Sequence, residues 1–73
     1  TAIESACELL GGQSALAGML SISPQAVHQW VRGQRHVPPK YCPAIESATG
    51  GQVTRKDLRP DDWHLLWPEF EPA

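Results

Sequence analysis

The chain has 73 residues, of which 41% are apolar. This length and composition predict one small domain with a thin hydrophobic core. It contains no apolar run long enough to span a membrane and no basic-then-apolar leader, so we expect no membrane partner. The net charge of −2 is unevenly distributed, because all six Lys and Arg residues lie in 28–59, which carries +4, while 1–27 carries −2 and 60–73 carries −4. That basic block suits a phosphate-bearing partner, although six cations alone also fit an ordinary solvated surface.

The first predicted element is an amphipathic helix over residues 1–10. Apolar residues recur at positions 3, 6, 7 and 10, which is the spacing of one helix face. Gly11 and Gly12 follow directly, and glycine at this position commonly ends a helix.

Two cysteines, Cys7 and Cys42, lie in separate predicted helical segments. Neither belongs to a CxxC pair or a Cys/His cluster. We therefore expect buried reduced thiols rather than a disulfide or a metal site. Reduced thiols indicate a reducing cytoplasm, and the sequence predicts no metal ion and no cofactor.

The stretch 13–33, QSALAGMLSISPQAVHQWVRG, predicts two short helices joined by a tight turn. Ser23 followed by Pro24 is a strong helix start, because a hydroxyl can cap the free N–H groups and proline is tolerated in the first turn. Gly33 provides the positive φ that commonly ends a helix. We expect Ile22 to fill the corner between the two helices.

The second helix of this pair has two different faces. Val27, Trp30 and Val31 share one side at i, i+3, i+4 spacing, which is typical of core packing. The opposite side carries only polar residues, and no Asp or Glu occurs between positions 8 and 46. Its members are Gln25, His28, Gln29 and Arg32. A face without carboxylates argues against catalysis, so we expect no catalytic residue and no enzyme.

This pattern resembles the helix-turn-helix of the phage repressor and Cro class. The matching positions are Gln13, Leu16, Ala17, Leu20, Ile22, Ser23, Val27, Trp30 and Gly33. The chain departs from the class at Ser21, where glycine is usual. Because serine is less comfortable at positive φ, we expect slight strain or a modified turn there. The resemblance implies binding of double-stranded DNA.

Residues 34–60 predict a loop followed by two further helices. Prolines at positions 38 and 39 keep the loop extended. A helix is predicted over 39–49, with Tyr41, Ile45 and Ala48 on its inner stripe, and Glu46 either exposed or paired with a cation. The spacing of Thr54 and Asp57 resembles a capping box for a short helix that Pro60 limits.

The aromatic tail, 61–73, predicts a last helical segment in which Asp61 can serve as the cap. Its large apolar residues fall at i, i+3, i+4, i+7 spacing. They are Trp63, Leu66, Trp67 and Phe70. Two interpretations stay open, since these side chains can fold back on their own domain or form a dimer or partner contact.

The second half extends the resemblance over most of the chain, from about Gly12 to Pro68. The run VPPKYCPAIESATGGQVTRKDLRPDDW is similar to YdaS-like members of the Cro superfamily, which are small prophage-associated regulators. The resemblance implies a single all-α helix-turn-helix domain over 1–73, lambda-repressor-like or Cro-like, with four to five short helices. It also implies a dimeric repressor, sometimes encoded beside toxin–antitoxin genes.

The expected DNA contacts fall into two groups. Glutamine can bond adenine N6 and N7 together, so Gln25 and Gln29 are predicted to contact bases, with His28 contacting guanine N7 or a phosphate. The predicted phosphate contacts are Gln13, Ser23, Arg32, Arg35 and Lys40. Gln13 and Ser23 are assigned by the family positions, and Arg32 and Arg35 by their places at and just beyond the end of the second helix of the pair. Lys40 is assigned by its place near the start of the helix predicted over 39–49, where the helix N-terminus also favours a phosphate.

The sequence therefore predicts a cytoplasmic, nucleoid-associated transcriptional regulator of the Cro type. We expect it to repress transcription by binding an inverted-repeat operator as a homodimer, formed at least on DNA, through the major groove. No small-molecule substrate is expected. The alternative is an antitoxin or other protein-interaction module that binds a partner such as a toxin, with the aromatic tail as its anchor.

Overall fold

The computed structural model describes residues 1–70, and this part of the chain is all-helical without a strand. The elements are α1 (Ala2–Leu10), α2 (Gln13–Leu20), α3 (Pro24–Val31), a 3₁₀ turn (Pro39–Tyr41), α4 (Cys42–Ala48), α5 (Arg55–Leu58) and α6 (Trp63–Leu66). The predicted all-α fold is confirmed. The described residues form six α-helices, one more than the upper end of the predicted four to five. Two of them, α5 and α6, have only four residues each. Positions 71–73 of the predicted tail lie outside the described residues.

Two helix starts form as the sequence predicts. The Ser23 hydroxyl accepts the Ala26 N–H at 3.3 Å, and Pro24 occupies the first turn of α3. At α5, the Thr54 hydroxyl accepts the Asp57 N–H at 3.1 Å while the Asp57 carboxylate accepts the Thr54 N–H at 3.0 Å. Each start is set by side chains within one turn, which is why sequence alone identifies it.

The turn between α2 and α3 has left-handed backbone at Ser21, with φ 58° and ψ 41°. The N–H of Ser21 donates to the Gly18 carbonyl at 3.2 Å, and the N–H of Ile22 donates to the Ala17 carbonyl at 3.0 Å. These two bonds form the glycine-type helix ending at which serine is strained. Within residues 1–70, Ser21 is the one non-glycine residue with positive φ, which agrees with the strain expected at this position.

The core joins the three helices of the N-terminal half to α4, α5 and the loops between them. Its buried apolar members are Ile3, Ala6, Cys7, Leu16, Ala17, Val27, Trp30, Val37, Cys42, Ile45, Val53 and Leu58. Leu16, Val27, Cys42 and Ile45 are almost completely inaccessible to solvent. Burying a side chain of this size contributes about 1.5–3 kcal/mol, so these positions dominate the packing.

Both cysteines are buried free thiols, which confirms the prediction for Cys7 and Cys42. Burial raises the pKa of the Cys42 thiol to about 11, and it also raises the pKa of Cys7. The protonated form therefore dominates at neutral pH, and both side chains pack as small apolar groups.

The predicted inner stripe of α4 is wrong at Ala48, which is exposed. Thr49 is buried instead, four residues after Ile45 and seven after Cys42. Its hydroxyl donates to the Glu46 carbonyl at 3.1 Å and accepts the N–H of Val53 at 3.1 Å. The helix predicted over 39–49 starts as a 3₁₀ turn, and this change of geometry places the stripe on Thr49.

The prediction that Asp61 caps the last helix is also wrong. Asp62 precedes α6 without a side-chain cap, because its carboxylate binds Arg59. The helix ends at Leu66, so the spacing predicted through Phe70 does not continue as a helix. Pro68 explains the stop, since a residue before proline is driven out of helical backbone. None of the described helices is long and apolar enough to cross a membrane.

Candidate DNA-binding surface

The helix-turn-helix unit is formed by α2 and α3, which pack closely against each other. Leu16 and Ala17 of α2 are buried in the same core as Val27 and Trp30 of α3. Ile22 is half-buried and packs on this core at the turn, as the sequence predicts. The small side chain of Ala17 permits close approach of the helices, and α3 is thereby held with one face directed away from the core.

The outward face of α3 carries the polar residues expected from the helical spacing. Gln25, His28 and Arg32 are exposed, and Gln29 is half-buried. Such a row of amide, imidazole and guanidinium groups offers donors and acceptors that match the base edges of the major groove. The structure places these side chains together on one surface, while their contacts with bases stay a prediction.

Gln13, the first residue of α2, is joined directly to this face. Its side-chain Oε1 lies 3.3 Å from Nδ1 of His28, although 15 residues separate the two in sequence. Ser23 stands at the start of α3 and accepts the N–H of Ala26. The Ser23 O–H remains able to donate to a phosphate, so its predicted role is compatible with its capping bond.

Arg32 directly follows α3, and Arg35 lies in the loop beyond it. The N–H groups of Gln34 and Arg35 donate to the Gln29 carbonyl at 2.9 and 3.4 Å, which folds the loop back onto α3. Arg35 lines a shallow cavity of about 150 Å³ that also includes Asp57, so it lies toward α5. Within residues 1–70, neither guanidinium takes part in an ion pair.

Lys40 is exposed on the 3₁₀ turn, and its Nζ lies 5.0 Å from the ring centre of Tyr41. Within the described part of the chain, its Nζ forms no ion pair. The start of a full α-helix predicted here is absent, because the segment begins as a three-residue 3₁₀ turn. Its phosphate contact stays a prediction that rests on its own charge.

Arg55 belongs to the basic block of the sequence but is engaged within the domain. Its backbone N–H donates to Oε1 of Glu46 at 2.8 Å, and its guanidinium binds the same carboxylate at 3.2 and 3.4 Å. Burial alone raises the pKa of Glu46, but the hydrogen bonds and charge of Arg55 outweigh it and lower that pKa overall. Glu46 is therefore paired, one of the two options that the sequence leaves open.

Arg59 is a structural residue that sequence analysis missed. Its guanidinium donates to the Val37 carbonyl at 2.9 Å and binds both carboxylate oxygens of Asp62 at 3.0 and 2.7 Å. The hydrogen bond from Arg59 lowers the pKa of Asp62, and the same bond raises the pKa of Arg59. This residue connects the loop after α3 to the segment before α6. Only the neighbouring signs of Arg59 and Asp62 hint at it in the sequence.

The aromatic residues of the tail contact their own domain. The rings of Trp63 and Phe70 meet edge to face at 6.1 Å, and Trp67 packs partly on the core. The Arg55 guanidinium lies 4.5 Å from the Phe70 ring centre and 5.5 Å from that of Trp67. Folding back is therefore the arrangement within this chain, and a dimer or partner contact through these residues stays a prediction.

Two leucines of α6 remain open to solvent. Leu66, which belongs to the predicted contact set, is 38% exposed, and Leu65, which the sequence analysis did not select, is 75% exposed. Any protein contact made by α6 would therefore centre on these two side chains.

Comparison with known proteins gives two matches. The model of the family described as "Bacterial toxin YdaS" matches residues 3–66. The YdaS protein of Escherichia coli (strain K12), which is named as a candidate transcriptional regulator, is 53% identical over 62 residues. The match covers 84% of this chain and 63% of the length of that relative. The chain thus spans less than two thirds of the relative that it matches.

Proposed function

Because the chain belongs to the bacterial YdaS family, as its sequence resemblance predicts, we propose that it is a transcriptional regulator that binds double-stranded DNA. The regulator class is supported by the name of the 53% identical relative. The finer statement, that α3 enters the major groove and contacts bases, is supported by the geometry of the helix-turn-helix.

One observation carries this proposal: the outward face of α3. It presents two glutamines, a histidine and an arginine on a helix whose other face is fixed in the core. A major groove admits an α-helix, and each well-placed bidentate contact contributes about 1–3 kcal/mol of discrimination between bases. Gln25 lies in the first turn, the part of a recognition helix that contacts base edges.

Phosphate contacts would position this helix on the duplex. Gln13 and Ser23 stand at the two helix starts, and Arg32, Arg35 and Lys40 carry charges that no ion pair within residues 1–70 neutralises. Such contacts release counterions, so affinity falls steeply as salt rises. Phosphate contacts are the same for every DNA sequence, so they set the position of the helix along the duplex rather than the preference for particular bases.

The chain would act as a homodimer on an inverted repeat. One domain of this size offers few phosphate contacts, and non-specific binding of that kind has a dissociation constant of about 10⁻⁴–10⁻⁶ M at physiological salt. Two copies with recognition helices about 34 Å apart would contact successive major grooves on one side of the duplex. Repression would follow where such a site overlaps a promoter.

Selection of bound duplexes from a random DNA pool tests this function. The expected result is enrichment of a short inverted repeat whose log affinity falls linearly with log salt. A chain with Gln52→Ala, an exposed glutamine of the loop before α5, is the matched control and should select the same sequence. Absence of any enriched sequence at low salt would refute DNA-sequence recognition by this chain.

The description of the family as a bacterial toxin favours a second candidate function, growth inhibition by the expressed chain. We propose that this effect acts through the same DNA surface. Induced expression of the wild-type chain and of a Gln25→Ala/Gln29→Ala variant would test it by growth rate. Relief of inhibition in the variant supports one shared surface, whereas equal inhibition by both chains would assign the effect to another surface.

A further inference from the structure

The hydrogen bond between Gln13 and His28 determines which ring nitrogen of His28 carries the proton. An amide oxygen can only accept a hydrogen bond, so the Nδ1 atom that lies 3.3 Å from Oε1 of Gln13 must donate. In a neutral imidazole one nitrogen is a donor and the other an acceptor. With Nδ1 protonated, Nε2 of neutral His28 therefore carries a lone pair.

We propose that Gln13 is a positioning residue for base recognition, and that neutral His28 accepts a hydrogen bond from an exocyclic amino group in the major groove. His28 is exposed on the outward face of α3, and its Nε2 has no hydrogen-bond partner within residues 1–70. Adenine N6 and cytosine N4 are the donors that the major groove offers, whereas guanine presents only acceptors there. The proposal rests on the function proposed above.

This assignment differs from the contact predicted from sequence alone. A histidine considered by itself can donate to guanine N7, because its tautomer is free. The Gln13 amide removes that freedom for the neutral ring, and its own NH₂ group remains available to donate to a phosphate. The Gln13 side chain thereby connects a contact with the DNA phosphate backbone at the start of α2 to the base preference of His28 on α3.

Protonation should reverse the preference of His28. A protonated ring keeps the bond to Gln13 and gains a donor at Nε2, which suits guanine. The charged groups around the pair are Glu4 and Glu8 of α1, which line the shallow cavity beside Gln13, and Arg32, one turn further along α3.

The test is duplex selection at about pH 8 with the full chain and three variants. His28→Ala should lose a preference of about tenfold for adenine or cytosine at one base position. Gln13→Ala should weaken preference at that same position and leave the positions contacted by Gln25 and Gln29 unchanged. Gln13→Glu keeps an acceptor for Nδ1, so it should retain the base preference while overall affinity falls through repulsion of phosphate.

Two results would overturn the inference while the proposed function stands. One is guanine at the position that depends on His28 at about pH 8. The other is a Gln13→Ala chain that binds all sequences more weakly but keeps every base preference, which would make Gln13 a phosphate contact alone. Failure of the wild-type chain to enrich any sequence would instead refute the proposed function. Thermal unfolding of each variant checks that the domain remains folded.

Discussion

Residues 1–40 and residues 41–70 use their polar side chains in different ways. In the first region, the glutamines, His28 and the cations Arg32 and Arg35 lie on the surface, and no ion pair within the described residues engages those cations. In the second region, Arg55 and Arg59 are bound by carboxylates. These two cations of the first region are therefore unpaired within residues 1–70, whereas the two arginines of the second region stabilise its own fold.

This difference changes the meaning of the charge distribution. The block 28–59 carries +4, but two of its six cations are neutralised within the domain. Fewer cations are thus available to bind phosphate than the number of Lys and Arg residues in 28–59 suggests. The cations Arg32 and Arg35, which have no ion pair within residues 1–70, lie beside α3 and in the loop that follows. Local charge must be counted after internal pairing.

The largest decrease in stability is expected from the loss of buried apolar packing in the first region. Leu16→Ala removes a side chain with no exposed surface, so we expect the free energy of unfolding to fall by about 2–5 kcal/mol. The loss should not depend on salt, because no charge is involved. Urea unfolding at low and high salt measures it, with exposed Leu9→Ala as control. A cost below about 1 kcal/mol would contradict the assigned core.

Removal of the Arg59 side chain should destabilise the second region by eliminating its polar contacts. Arg59→Ala leaves the Val37 carbonyl and the Asp62 carboxylate without their donor, so we expect a loss of about 2 kcal/mol of stability. Lys56→Ala, an exposed neighbour, is the control and should change stability by less than about 0.5 kcal/mol. Equal melting temperatures for the two variants would show that the Arg59 contacts contribute nothing.

The free cation next to the recognition helix should affect binding rather than stability. If Arg35 contacts a phosphate as proposed, Arg35→Ala removes that contact, so we expect affinity to fall alike for all duplexes and the slope of log affinity against log salt to decrease by about 1. Arg55→Ala is the matched internal arginine, and it should lower stability with little change in that slope. A changed preferred sequence with Arg35→Ala would mean that it contacts a base.

Acid should weaken the second region through two of its carboxylates, Glu46 and Asp62, which are paired with arginines. Folding lowers the pKa of Glu46 and Asp62 from their ordinary values of 4.5 and 3.8. Their contribution is therefore complete above those values and is lost as pH falls through the lower folded-state values. Melting temperature followed from neutral pH downward should fall in this range. If a Glu46→Gln/Asp62→Asn chain shows the same dependence of melting temperature on pH as the wild-type chain, the pairing of these carboxylates with Arg55 and Arg59 is contradicted.

Relief of the strained turn should give the smallest change. Ser21 has φ 58°, and glycine adopts this backbone without a Cβ penalty. Because glycine also adds unfolded-state entropy, we expect Ser21→Gly to raise stability by only about 0.5 kcal/mol. Ser47→Gly within α4 has no strain to relieve and should lower stability by a similar amount. A destabilised Ser21→Gly chain would refute the strain.

The elements that the sequence predicts correctly are those set by neighbouring residues. Ser23 with Pro24, the Thr54 and Asp57 pair and the glycines after α1 and α3 act within one turn, so their effect is visible in the chain order. The buried and exposed faces of α3 follow from spacing in the same way.

Two contacts that sequence analysis missed join residues that are distant in the chain. Arg59 binds the Val37 carbonyl across 22 residues and also binds the Asp62 carboxylate, so Asp62, which stands before α6 in place of the predicted cap Asp61, provides no side-chain cap. The bond between Gln13 and His28 also joins residues far apart in sequence, so helical spacing could not reveal it. Contacts between elements require the packing of α2 on α3 to be known first.

The most direct test of the account is binding of the selected duplex by a chain whose α3 face is altered. Gln25→Ala/Gln29→Ala should lose most of the preference for the selected over a scrambled duplex, retaining only the contribution of about tenfold proposed for His28, while keeping the wild-type salt slope and melting temperature. The Gln52→Ala control should retain full preference for the selected duplex. If the double variant instead keeps the preference of the wild-type chain, the outward face of α3 does not contact the bases.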